Sequence, residues 1–351
     1  MLEFNVNFFI IFSLISLFLT FLVAKYSKIF FFDSLLDKEF LKPQAFHKES
    51  VGRVGGIAIF FLFSLFILSY FLVFNIFLKD YFIISLFLFL LGFLDDVKIK
   101  INPNIRLILM LSLLIFCIYI FSIEINKSGL EFLNLWLENN IFQICFVLLC
   151  FLFIVNGANL VDGFNGLLAI HFLIINFIYL IINLSNQNEN ISIILFVQII
   201  IVLSFLLFNF PKAKIFLGDS GSYLLGVLIA LNTIKTYELN SGISTFFYTS
   251  ILFYLFYEVF FSFIRKSFKK KSPLKPDNNH LHMLLYRFLK KKTKTDTSNY
   301  KTGFLINVVY FFLIIPSIYF HSNGIFSRYY FFVLILIYTL IYQYLSKIKK
   351  L

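Results

Sequence analysis

Runs of nearly unbroken apolar residues, most of them long enough to cross a lipid bilayer, recur along the whole chain. A helix needs about 20 such residues to span the hydrocarbon layer. Lipid offers no water to unpaired backbone groups, so runs of this length fold as helices. Eleven candidate spans follow, at residues 4–23, 55–78, 81–94, 107–123, 141–155, 166–184, 191–208, 222–234, 244–264, 303–320 and 326–346. The third, fifth and eighth are short, as helices that stop around a cavity are. Of the 351 residues 60% are hydrophobic and 14% charged, against about 45–50% and about 25% in a soluble domain. That excess has no place in a core that still needs a polar shell. A soluble enzyme, a secreted disulfide scaffold and a disordered tail are excluded. The expected fold is all-α, a single polytopic membrane domain over residues 1–351 with about eleven spans. No basic residue precedes Lys25 and no small-residue cleavage pattern follows the first run, which argues against a cleaved signal peptide. Cys117, Cys145 and Cys150 lie in apolar runs without a CxxC and read as small buried hydrophobes.

The net charge of +12 is explained by where the cations sit. Eleven spans put the termini on opposite sides. With the N-terminus outside and the C-terminus cytosolic, 26 of the 30 Lys and Arg residues fall on the inner side. Only Lys79, Lys127, Lys235 and Arg328 lie outside, so the positive-inside rule selects this orientation. Twelve of the inner cations crowd into residues 265–302, a cytosolic basic loop. The basic balance is therefore topology, with attraction to anionic membrane lipid added, and no nucleic acid partner is implied.

The polar clusters gather on that same inner side: His47–Gly56 (HKESVGRVGG), Leu94–Lys100 (LDDVKIK), Asn156–Leu167 (NGANLVDGFNGL), Phe216–Ser222 (FLGDSGS) and Pro276–His282 (PDNNHLH). Acids at the ends of membrane helices are costly unless solvated or paired, and mark functional sites by default. Five clusters converging on one face suggest one assembled site, suited to joining a water-soluble donor to a lipid headgroup. A lipid-linked-sugar flippase or other transporter is the competing class. It would place polar residues near the midplane, between related halves. No internal repeat is present, and Glu258 in the ninth run is the exception to an otherwise uncharged mid-depth.

Adjacent Asp95 and Asp96 can hold a divalent cation, accept a proton or position a phosphate. They can equally be a solvated helix end, with Lys98 and Lys100 as counter-ions. Asn156, Asn159, Asp162 and Asn165 recur at steps of three, and the first three share a helical face if the helix continues. Their amides and carboxylate can read a nucleobase edge or ribose, or support a metal. Capping alone would need fewer polar groups. Asp219 opens a helix beside Ser220 and Ser222, where backbone N–H groups attract phosphate and an acid can hold a phosphate-bound Mg²⁺. A plain N-cap is the alternative there. His280 and His282, two residues apart, do not share a helix face, so donation to pyrophosphate oxygens fits better than a helical zinc pair. His171 and His321 are isolated and read as structural.

In this order, DD, NxxNxxDGxxGL, FxGDxGS and PDxxHLH resemble the polyprenyl-phosphate N-acetylhexosamine-1-phosphate transferases over residues from about 47 to 287. The resemblance implies transfer of a phospho-sugar from a UDP-N-acetylhexosamine to undecaprenyl phosphate with release of UMP. It further implies Mg²⁺, or Mn²⁺ in its place, a bacterial cytoplasmic membrane location with a cytosolic site, and a homodimer as one arrangement among relatives. By position, Asp219 resembles the metal ligand and Asp95 the acid acting on the lipid phosphate, with Asp96 its neighbour. Asp162 joins them as a catalytic candidate. Lys48, Asn156, Asn159 and Asn165 match a nucleotide and substrate site, and His280 and His282 the pyrophosphate side. Asn165 replaces a frequent second Asp, and Glu258 stands where Asp is frequent. The chain looks closer to the branch that starts O-antigen, common antigen or teichoic acid synthesis. The phospho-N-acetylmuramoyl-pentapeptide transferases, the alternative branch, carry three consecutive histidines, where this chain reads Asn279-His280-Leu281-His282.

Overall fold

The computed structural model describes residues 2–30, 35–37, 50–99, 101–270, 272, 277–293 and 297–350. Apart from a hairpin of β1 (Leu36–Asp37) and β2 (Val51–Gly52), the regular elements are helices. They are α1 (Leu2–Phe30), α2 (Gly55–Phe74), α3 (Lys79–Asp96), α4 (Pro103–Ile120), α5 (Glu131–Leu137), α6 (Asn140–Val161) and α7 (Leu167–Ser185). The second half holds α8 (Glu189–Asn209), α9 (Gly218–Leu239), α10 (Thr245–Ile251), α11 (Phe253–Phe268), α12 (Leu281–Thr293), α13 (Ser298–Tyr319) and α14 (Gly324–Lys350). The protein is an all-α, multi-pass membrane protein.

Among the described residues, eight helices are long and apolar enough to cross a membrane: α1, α2, α4, α6, α7, α8, α13 and α14. A ninth span appears if α10 and α11, bent by 72° at their junction, count as one. The expected eleven differ by α3 and α9, which match the third and eighth apolar runs but carry ionisable residues at both ends. The expected short fifth run is corrected: α6 is a 22-residue helix that continues through the polar Asn156–Val161. Polarity, not a broken helix, ended that run in the sequence. The basic loop contains the helix α12, with Lys290, Lys291 and Lys292 in its last turn.

α9 lies at the centre. Every residue from Ser220 to Ile234 is buried, as a helix apolar on all sides should be. It packs against α2, α3, α6, α7 and α8. Peripheral helices instead expose large apolar side chains such as Leu14, Phe18, Ile108, Phe116, Phe332 and Leu336, the surface a lipid-facing helix presents.

Lipid tails are as apolar as leucine, so core helices need more than hydrophobicity to recognise each other. Four of them meet in a knot of polar side chains. Asn176 Nδ2 on α7 donates to Gln198 Oε1 on α8 at 3.0 Å, and Asn232 Nδ2 on α9 donates to Asn176 Oδ1 at 3.1 Å and to Gln198 Oε1 at 2.6 Å. Tyr81 on α3 donates its hydroxyl to Asn232 Oδ1 at 2.9 Å. Each group is satisfied by the others in a region that water does not reach. Asn232→Leu removes the partner of the Tyr81 hydroxyl and of Asn176 Oδ1, and leaves only the Asn176–Gln198 bond of the knot. It should lower the thermal unfolding midpoint in detergent, corresponding to about 1–3 kcal/mol; an unchanged midpoint would show that the knot adds nothing.

Candidate active site at the helix ends

Three helix ends meet at the site. α3 ends in Asp95 and Asp96, α6 ends at Val161 with Asp162 next, and α9 begins at Gly218 with Asp219. The join between α3 and α9 sets their relation. Asp96 Oδ1 accepts the Asp219 N–H and Oδ2 accepts the Ser220 N–H, both at 2.9 Å. The first N–H groups of a helix have no partner within it, and the helix dipole favours an anion there. Gly218 makes the join possible. Its φ is +78°, and a Cβ would lie 2.6 Å from Asp96 Oδ2. Gly92, four residues before Asp96, lets α3 approach Asp219 backbone to backbone, since a Cβ would sit 2.4 Å from the Asp219 carbonyl oxygen. Asp96 is 0% exposed. Expected as a catalytic acid, it is placed as a clasp with both oxygens committed.

Asp219 is only partly buried. Its Oδ1 accepts from Asn159 Nδ2 at 3.1 Å, and the same amide donates to Ser222 Oγ at 2.9 Å, which ties α6 to α9. Asp95 forms an ion pair with Arg106 from the first turn of α4, and both side chains keep access to solvent. Arg53, just before α2, bonds Asp37 Oδ2 through Nη2 at 2.8 Å and Nε at 3.2 Å and places Nη1 3.9 Å from Asp96 Oδ1. Burial works against its charge, but Asp37, Asp219 and Asp96 together raise its pKa. Asp162 is pushed up to about 8 by burial, then by the negative charges of Asp219 and Asp96, with Arg53 opposing.

The histidine motif folds back onto the turn that follows α6. A Cβ on Gly163 would meet His282 Cδ2 and Nε2 at 3.7 Å, and the Phe164 ring stands edge-on to His282 with centroids 5.7 Å apart. His280 and His282 are 1% and 0% exposed, their rings parallel within 4°. Burial, aided by His280 and opposed by Glu258, pushes the His282 imidazole down to about 4. Among the described residues, neither of its ring nitrogens has a partner.

Two expected site residues are used elsewhere. Asn156 Nδ2 donates to the Leu152 carbonyl of its own helix at 2.8 Å and lies 3.8 Å from the Met110 sulfur. Asn165 is a loop brace, donating from Nδ2 to the Pro211 carbonyl and from its backbone to Asn299 Oδ1, both at 2.9 Å. Lys48 lies outside the described residues. Sequence reasoning passed over Arg53 and Arg106 as site residues. Arg106 had no local signal, because a turn separates it from the acid it pairs with. Arg53 could have been found as the single Arg inside the glycine-rich segment Val51–Gly56.

Among the described residues, no group of three or more His, Cys, Asp or Glu side chains could hold a metal ion. This donor set still suits Mg²⁺, which takes one or two carboxylates plus substrate phosphates rather than a protein cage. Asp219 has an accessible carboxylate beside Asp162, whereas Asp96 is committed to backbone.

A multi-pass membrane protein with acids, arginine and histidines gathered at helix ends is the class that the fold and site define. The model of glycosyl transferase family 4 matches residues 78–237. The undecaprenyl-phosphate alpha-N-acetylglucosaminyl 1-phosphate transferase of Thermotoga maritima is 30% identical over 282 residues, 80% of this chain and 81% of that protein. A probable undecaprenyl-phosphate N-acetylglucosaminyl 1-phosphate transferase of Bacillus subtilis is 26% identical over 263 residues, 75% of this chain and 73% of its own. The phospho-N-acetylmuramoyl-pentapeptide-transferase of Dictyoglomus turgidum is 34% identical over 156 residues, 43% of this chain and 50% of its own. The chain belongs to glycosyl transferase family 4, as the ordered motifs imply.

Asp162 supplies a pH test. A carboxyl whose folded pKa is about 8 holds a proton that the unfolded chain has released above about pH 4. Stability therefore falls as pH rises from about 4 to about 8. Asp162→Asn, measured by thermal unfolding in metal-free detergent, should match the wild type near the acid end and exceed it by a few degrees above pH 8. A difference independent of pH would contradict this assignment.

Proposed function

We propose that this protein transfers a phospho-N-acetylhexosamine from a UDP-sugar to undecaprenyl phosphate and releases UMP. The observation that carries the reading is the convergence of Asp95, Asp162 and Asp219, from three separate helix ends, on one boundary site. Family membership, with the most similar part of the match running over most of the Thermotoga maritima transferase, supports it. The orientation we favour has the N-terminus outside, eleven spans and the site facing the cytosol of a bacterial inner membrane. The cation distribution supports that orientation.

The chain's residues can divide the work as follows. Asp219, oriented by Asn159, would hold Mg²⁺ with Asp162, and the ion would supply charge neutralisation at the diphosphate. Arg53 adds a fixed positive charge at the same place. Arg106, paired with Asp95 where α4 enters the membrane, can receive the phosphate of the lipid acceptor. The second pKa of a phosphate monoester is near ~6, so the acceptor is mostly ionised at neutral pH. Asp95 then serves to place the acceptor more than to deprotonate it. Direct in-line attack of the lipid phosphate on the sugar-bearing phosphorus follows. His280 and His282 would donate to diphosphate oxygens from the opposite loop.

The sequence around the histidines favours the branch that initiates O-antigen, common antigen or teichoic acid polymers over the peptidoglycan branch. The similarity to the Bacillus subtilis relative across 75% of the chain supports that choice, while the pentapeptide transferase of Dictyoglomus turgidum matches 43%. The transporter reading finds little support, because the buried amides at mid-depth are bonded to one another rather than lining a path.

Purified protein given undecaprenyl phosphate, Mg²⁺ and a panel of UDP-N-acetylhexosamines should release UMP with at least one of them. Asp219→Asn should slow this by about 100-fold or more, the scale of losing a principal electrostatic group in a transferase site. No UMP from any donor, or an unaffected Asp219→Asn variant, would overturn the proposal.

A further inference from the structure

A second charged cluster lies beside the acids, within the helical bundle. Glu258 on α11 is 1% exposed, and its carboxylate accepts from three groups on three segments. Oε2 takes the Tyr338 hydroxyl of α14 at 2.6 Å. Oε1 takes the Leu281 N–H at the start of α12 at 3.3 Å and faces His280 Nδ1 at 2.8 Å. A carboxylate with every contact on a donor is an ionised acceptor, and burying it is tolerable only because it is bonded so fully.

Two of those three groups must donate to a carboxylate, the peptide N–H and a phenol that among the described residues bonds this carboxylate alone. Nδ1 must therefore carry a hydrogen too, since a bare Nδ1 lone pair at 2.8 Å from the carboxylate would be repelled. A carboxylate on one ring nitrogen sets what the other presents. Here that other nitrogen is Nε2, which no described group bonds. Because His280 stacks on His282, and His282 lies against Gly163, the clamp reaches the turn that carries Asp162.

We propose that Glu258 and Tyr338 are positioning residues for His280. Tyr338 fixes the carboxylate, and the carboxylate fixes the Nδ1–H and with it the ring orientation, so that Nε2 is presented toward the donor diphosphate. The inference deepens the reading above and rests on it. The last membrane helix thereby becomes part of the active site, although the family model ends at residue 237. The groups that face this pair are Tyr254 on α11, Tyr338 and Tyr342 on α14, His282 on α12, and Asp277, itself paired with Arg265.

The test is a double-mutant cycle on UMP release, read as kcat and KM separately. Glu258→Gln keeps the shape and removes the charge. It should lower kcat by about tenfold with KM for the lipid acceptor little changed. Adding Glu258→Gln to His280→Ala should cost nothing more than His280→Ala alone. Tyr338→Phe, which removes one hydroxyl and keeps the ring packed on Tyr257, should cost a smaller factor and be equally silent in the His280→Ala background. It decides the matter if Glu258→Gln fails to fold. Additive losses in the cycles, or a loss carried by KM rather than kcat, overturn the positioning role while leaving the transferase reading intact. A wild-type protein that releases no UMP overturns both.

Discussion

The site depends on one buried carboxylate that joins two helix ends. Asp96 accepts the first free N–H groups of α9, at Asp219 and Ser220, and so sets the end of one buried helix against the start of another. Asp219 inherits its position from that join, and Asn159 then fixes its rotamer from α6. Without the clasp, the first N–H groups of α9 would lose the acceptor that α3 supplies. The cost of a buried anion is offset by two backbone donors and a nearby guanidinium, which is why Arg53 and Asp96 belong to one arrangement. The glycines at 92 and 218 serve the same contact, one by giving up a side chain and the other by adopting a left-handed backbone.

Around this join the membrane imposes a division of labour. The central helices recognise one another through small residues and through polar side chains that satisfy each other. The outer helices show apolar residues to lipid. Polar chemistry is left to the helix ends, where water, a nucleotide and a lipid headgroup can meet. That arrangement suits a reaction whose two substrates arrive from different phases.

Much of the fold was legible in the sequence because hydropathy reports directly on the solvent. The apolar runs marked each long helix, and the positions of Asp95, Asp162 and Asp219 beside those runs marked the site. Helix ends were less legible. α6 continues through Asn156 and Asn159 because its amides bond within the bundle, so a polarity-based reading stopped it too early. The roles of single residues were least legible. Asp95 and Asp96 are neighbours in sequence, yet a helix turns successive residues by about 100°, so one faces Arg106 and the other is buried under α9. Asn165 matched a motif position but braces a loop through Pro211, a contact that no local pattern encodes. Glu258 and Tyr338, 80 residues apart, met only once the chain was folded.

The central claim is that a sugar leaves its nucleotide together with one phosphate. The direct measurement follows the β-phosphorus of a UDP-N-acetylhexosamine, isotopically labelled at that atom, in a reaction with undecaprenyl phosphate. The account requires the label to appear in the lipid product as a sugar-bearing diphosphate, with unlabelled UMP left in solution. Label retained in UDP while the sugar alone moves to lipid would contradict it.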